Sequence, residues 1–128
     1  MPEDMALCDT PAKAAEYWNR HVVQNPSYNP DCECLAVLLL TTRRRVKGHY
    51  LVSIGTLDTV LVTPREVFRP AIVLVHNHPS GEPDPSPADM NITRELIRAG
   101  RLLRIEVFDH VIIGRPGHCS LKALGLFY

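Results

Sequence analysis

His76 and His78 stand one residue apart at the end of an apolar run, and Ser86 and Asp89 follow at the start of what reads as a helix. In extended backbone, residues i and i+2 project from the same face with Cα atoms about 6.5–7 Å apart, so the two imidazoles can chelate one ion. Asp89 shares a helical face with Ile92 and Leu96 at i, i+3 and i+7, which turns its carboxylate inward as a third ligand. Two neutral imidazoles and one carboxylate leave a tetrahedral Zn²⁺ with a fourth position open to water, as a catalytic rather than a closed structural site requires. A plainer reading stands beside this one. Ser-x-x-Asp is also an ordinary capping box, and Thr63…Glu66 repeats the pattern with no histidines ahead of it.

These side chains need a scaffold. Thr10 before Pro11 predicts a capped helix to about Val23, with Ala15, Trp18 and Val22 on one face. Residues 34–40 are almost continuously apolar, the pattern of a strand covered on both sides, and Thr41–Arg45 forms a polar turn. Residues 46–54 alternate, placing Val46, Gly48, Tyr50, Val52 and Ile54 on one side, with a short strand at 59–62 beyond Gly55. Thr63-Pro64-Arg65-Glu66 starts a helical stub that Pro70 stops. Ala71–Val75 is a buried strand leading into His76, a longer helix runs from Ser86 to near Gly100, residues 105–113 form another strand, and a short one lies near 119–121. The whole is α/β, and its sheet begins antiparallel.

With 128 residues, the chain suits one domain able to bury a core without metal or disulfides. Fourteen basic residues balance fourteen acidic ones, so no global field favours nucleic acid or an anionic membrane. The longest apolar run is Leu35–Leu40, too short to span a bilayer, and a soluble cytoplasmic protein is expected. Cys8, Cys32, Cys34 and Cys119 read as reduced thiols; Cys32-x-Cys34 lacks the second pair of a zinc finger. Arg43, Arg44 and Arg45 form a local basic turn with no interleaved aromatic platform, and nucleic acid is an unfavoured partner.

The segment His76-Asn77-His78-Pro79-Ser80-Gly81, continuing to Ser86 and Asp89, resembles the JAMM signature of JAB/MPN zinc metallopeptidases, HxH, seven residues, then SxxD. Thr63–Val67, the stretch Val107–Gly114 and Ser120 look like the RadC-like branch specifically. The resemblance runs from about Thr10 to the C-terminus, giving a tail at 1–9 and a domain at 10–128. It implies a central mixed, partly antiparallel sheet flanked by helices, the cytidine-deaminase-like JAB/MPN layout. It further implies one zinc held by His76, His78 and Asp89, with Ser86 donating to the water and to the developing oxyanion. Glu33, just ahead of the apolar run, matches the family's glutamate general base; by residue type alone it reads as a solvated strand start, and the resemblance is what makes it the base. The activity implied is hydrolysis of a peptide or isopeptide bond in a protein or peptide substrate.

Two departures accompany the match. Branch members usually carry a longer helix before the HNHPSG strand, whereas Arg69-Pro70-Ala71 leads almost directly into it. They often also carry an N-terminal helix-hairpin-helix associated with DNA binding, for which this chain has no room. Asp109 and His110 match the family's Asp-His pair, and strand alternation allows only one of them to face a metal cleft, with His110 behind the ligands. The competing reading is a non-catalytic module of DNA-repair or mobile-element biology whose basic turn touches phosphate.

Overall fold

The computed structural model describes residues 5–52 and 71–126. The expected strand at 59–62 and the stub from Thr63 lie outside those residues, as does the shortened stretch before Ala71.

Thr10 caps α1 (Pro11–Tyr17): its side chain accepts from the Lys13 N–H, and Pro11 occupies the first turn where no N–H is required. The helix widens into a π-helical turn, Trp18–Val22, and Trp18 and Val22 are fully buried with Ala14. Four longer strands follow in two pairs. β1 (Leu35–Leu40) and β2 (Val46–Val52) form a hairpin; β3 (Ala71–Asn77) and β4 (Glu106–Ile113) are joined through α2 (Pro87–Leu103), and β5 (His118–Ser120) closes the edge. The order is β2-β1-β3-β4-β5, with β3 and β4 parallel and the other pairs antiparallel. This is the mixed, partly antiparallel α/β sheet that the sequence implies.

The central strands are buried on both faces, and their parity decides which helix each side chain meets. Ala36, Leu38 and Leu40 of β1 join Val73 and Val75 of β3 under α1 and Trp18. Leu35 and Val37 join Ile72 and Leu74 under Leu96 and Ile97 of α2. Each fully buried aliphatic side chain stabilises by roughly 1.5–3 kcal/mol, and these two apolar layers are where that burial is concentrated. His76 continues the even-numbered face of β3, and that parity aims it at α2.

Two bulges reset the pattern in ways alternation does not foresee. The first, between Leu39 and Leu40, leaves Lys47 unopposed, so His49 and Leu51 rather than Gly48 and Tyr50 share the α1 face with Val46. Tyr50 is consequently exposed. The second, between Ile72 and Val73, leaves Phe108 unopposed, pairing Val73 with Asp109 and Leu74 with His110. Because Leu74 faces α2, so does His110.

α2 also runs beyond its expected end. Gly100 lies inside it, and Arg104 takes the left-handed cap at φ 59°. Gly100 is there for close approach, since a Cβ would stand 2.5 Å from the Ile105 carbonyl oxygen. Ahead of Thr10, Leu7 bridges Arg45, the Ala6 carbonyl accepts from Val46 N–H, and Cys8 is buried in the α1-side core. These residues of the expected tail are therefore part of the packed domain.

Candidate metal centre

His76 reaches the α2 side from the end of β3, and Asp89 meets it from the first turn of α2. His78 lies just past β3 in a loop held by its neighbours: its N–H donates to the Ile113 carbonyl at 3.0 Å, and Arg115 N–H donates to the Gly81 carbonyl at 2.7 Å. Gly81 adopts φ 93°, and a Cβ on Gly114 would fall 2.5 Å from the Gly81 oxygen, so both glycines are needed for this close approach. Arg115 Nη2 adds a hydrogen bond to the Pro79 carbonyl at 2.6 Å.

The facing nitrogens, His76 Nε2 and His78 Nε2, are 3.1 Å apart. Asp89 offers Oδ1 at 3.2 Å to His76 and Oδ2 at 3.0 Å to His78. Glu33 Oε1 stands 3.5 Å from His76 Nε2. One ligand atom from each of these four residues lies within 4.8 Å of every other. His76 and Asp89 are buried, whereas the Glu33 side chain is 41 % exposed, so the cluster opens to solvent on the glutamate side.

Ser86 performs the capping that the plainer reading assigned to it. Asp89 N–H donates to Ser86 Oγ at 3.1 Å, and Ser86 N–H donates to Asp89 Oδ2 at 2.8 Å. The cap and the cluster thus share one carboxylate. Burial opposes the ionisation of Asp89, but the adjacent His76 imidazole and the hydrogen bonds from Ser86 outweigh it and hold the carboxyl well below its usual range.

The donor chemistry fits a divalent cation of the zinc type. His78 Nδ1–H donates to the Glu82 carbonyl at 2.7 Å, which places the lone pair on Nε2 and points it at Asp89. Two imidazole nitrogens and a carboxylate converge with separations typical of a shared ligand sphere.

Three contributions were not legible as site features in the sequence. Asn77, between the two histidines, is buried and points away from them: Oδ1 accepts the Cys34 N–H at 2.9 Å and Nδ2 donates to the Cys32 carbonyl at 3.1 Å. It therefore clamps both neighbours of Glu33. Thr93, one turn after Asp89, contacts His110 Nδ1, while His110 Nε2 lies 2.6 Å from His76 Nδ1. The signals available were a polar residue at the end of an apolar strand and a threonine at i+4 from Asp89. The third is the Glu82 carbonyl, a backbone group with no residue-type signature.

His110 is thus the member of the Asp-His pair that faces the cluster, from behind His76. Its burial, and then the nearby His76, push its pKa well below the usual histidine value. Asp109 faces the other way, accepting from Ser120 Oγ–H at 2.9 and 2.7 Å and from the His110 N–H at 2.7 Å. Burial pushes the Asp109 carboxyl up despite those bonds, and the residue ties the C-terminal turn to β4. In the basic turn, Arg44 pairs with Glu106 at 3.3 Å and lies over the Phe108 ring, and Arg45 donates to the Met5 carbonyl. Two of the three arginines therefore have intramolecular work.

Fold and cluster together define a mixed α/β domain of the JAB type with a group of residues able to bind a metal. The chain belongs to the RadC-like JAB domain family, whose sequence model matches residues 8–126. It is 55% identical over 103 residues to a UPF0758 protein of Syntrophomonas wolfei, covering 75% of this chain and 44% of that protein. A UPF0758 protein of Thermosynechococcus vestitus is 35% identical over 130 residues, covering 96% and 50%. The chain spans about half the length of the curated relatives it matches. Among the described residues, no helix is long and apolar enough to cross a membrane.

Proposed function

We propose that this domain is a zinc-dependent hydrolase of amide bonds, a metallopeptidase or isopeptidase acting on a protein or peptide substrate in the cytoplasm. The observation that carries the reading is the convergence of Glu33, His76, His78 and Asp89 on one point, with the glutamate alone on the open side. A closed structural site would need neither an exposed carboxylate nor an open position.

His76 Nε2, His78 Nε2 and the Asp89 carboxylate would hold the ion. When bound, zinc supplies a Lewis acid for the scissile carbonyl and lowers the pKa of water toward neutrality. Glu33 is positioned as the general base: its exposed carboxylate can accept the proton of the attacking water and return it to the leaving amine. Asn77 fixes the chain on either side of Glu33, so this proton carrier is not left to a freely moving loop. Ser86 Oγ uses one lone pair to accept the Asp89 N–H, which leaves its hydroxyl proton to donate to oxyanion charge as the carbonyl becomes tetrahedral. Asp89, held ionised, keeps its charge at neutral pH. The four cysteines are free thiols, in keeping with a reducing compartment.

The test is hydrolysis of a panel of peptide and isopeptide substrates by zinc-loaded protein beside Glu33→Gln. Cleavage by the wild type that is lost in a variant retaining its zinc supports the reading. Equal cleavage by both would remove Glu33 from the chemistry, and absence of cleavage across the panel would count against the amide assignment.

A further inference from the structure

Behind His76 runs a chain of buried polar groups that the proposed hydrolysis does not itself use: His76 Nδ1, His110 Nε2 at 2.6 Å, His110 Nδ1, Thr93 Oγ1 and the Asp89 carbonyl oxygen at 2.8 Å. Thr93 and His110 are almost wholly buried. The direction of this chain follows from counting protons. A hydroxyl has one proton and two lone pairs, and a neutral imidazole has one N–H and one bare nitrogen. Thr93 Oγ1 lies within hydrogen-bond distance of the Asp89 carbonyl, which can only accept, so the hydroxyl proton goes there. Thr93 Oγ1 must then accept from His110 Nδ1–H. A second proton on His110 would put an unpaired charge in the core, which is costly, so Nε2 stays bare and accepts from His76 Nδ1–H. His76 is left with its lone pair on Nε2, the atom that faces His78, Asp89 and Glu33.

The geometry points to Thr93 and His110 as positioning residues that lock His76 in the tautomer able to ligate a metal through Nε2. The relay is anchored on the backbone of Asp89, so one residue supplies both a ligand and the far end of the chain orienting another. The second bulge is what makes this possible, since it turns His110 rather than Asp109 toward α2. His78 achieves the same end through the Glu82 carbonyl. The consequence for metal affinity rests on the metal reading above, but the proton placement in His110 does not.

Two substitutions at Thr93 separate hydrogen bonding from packing. Thr93→Val keeps the volume and removes the hydroxyl; Thr93→Ser keeps the hydroxyl and removes a methyl group. Ring nitrogen shifts of ¹⁵N-histidine-labelled protein, metal-free and zinc-loaded, should show His110 protonated at Nδ1 and bare at Nε2 in the wild type and in Thr93→Ser. Zinc affinity, measured by competition with a chelating dye, should fall by about 10–100-fold in Thr93→Val and far less in Thr93→Ser. His110 protonated at Nε2 in the wild type would overturn the inference. So would a Thr93→Val variant that binds zinc as tightly as Thr93→Ser. A wild type that binds no zinc would sink the hydrolase reading instead, while the His110 nitrogen shifts would still decide the relay.

Discussion

Removing the Asn77 side chain probes how Glu33 is held. Asn77→Ala deletes two neutral hydrogen bonds, to Cys34 N–H at 2.9 Å and to the Cys32 carbonyl at 3.1 Å. At about 1 kcal/mol each, the loss is about 2 kcal/mol, well inside the roughly 5–15 kcal/mol that keeps a domain folded. The damage should therefore be local, and its site is known: Cys34 N–H lies just before β1 and has the Asn77 side chain as its acceptor. A loss of about 2 kcal/mol corresponds to roughly 30-fold faster amide exchange at Cys34, since each 1.4 kcal/mol is a factor of ten. Hydrogen exchange followed residue by residue should show that acceleration at Cys34 and leave Val37 and Leu38, in the middle of β1, unchanged. Zinc stoichiometry should persist, because none of the proposed ligands is touched, while any amide hydrolysis should fall with the displaced Glu33. Unchanged exchange at Cys34 would refute the clamp. Uniform acceleration through β1 would refute its local character.

Three further outcomes follow from particular contacts. Gly100→Ala places a Cβ 2.5 Å from the Ile105 carbonyl, and the strain should exceed the gain in helix propensity, lowering the melting temperature by about 5 °C; an unchanged or higher value would refute the close approach. In chelator-treated protein, the depressed Asp89 pKa means that its contribution to stability is fully present above the ordinary carboxylate value of 3.8 and is lost as pH falls through the lower folded-state value. Asp89→Asn should flatten the decline of urea-determined stability below about pH 4, and parallel wild-type and variant curves would count against this. Zinc at about 100 times its dissociation constant should stabilise the wild type by about 2.7 kcal/mol and His78→Ala by much less, read as a shift in thermal midpoint; equal shifts would place binding elsewhere.

Much of this architecture was legible because it depends on local patterns. The apolar runs of β1 and β3, the Thr10-Pro11 and Ser86-Pro87 helix starts, and the His-x-His spacing all survive in the folded chain. Inward placement of Asp89 followed from its period with Leu96, and both are buried. What escaped the sequence depends on pairing between distant strands. Strict alternation put Tyr50 with Val46, but the unopposed Lys47 shifts the hairpin by one residue and exposes Tyr50. The same kind of shift at Phe108 turned His110 toward α2, a choice that alternation alone leaves open. Gly100 looked like a helix terminator because glycine often is one, yet here the missing Cβ admits the Ile105 carbonyl and Arg104 supplies the left-handed turn. Asn77 gave no warning of its role, since its partners lie 43 and 45 positions away.

The most direct measurement is the metal content of protein purified without added metal, beside a His76→Ala/His78→Ala variant whose fold is verified by circular dichroism. The convergence of His76, His78 and Asp89 predicts about one zinc per chain in the wild type and none in the folded variant. A wild type that holds no zinc even after zinc is supplied, or a variant that holds as much as the wild type, would contradict it.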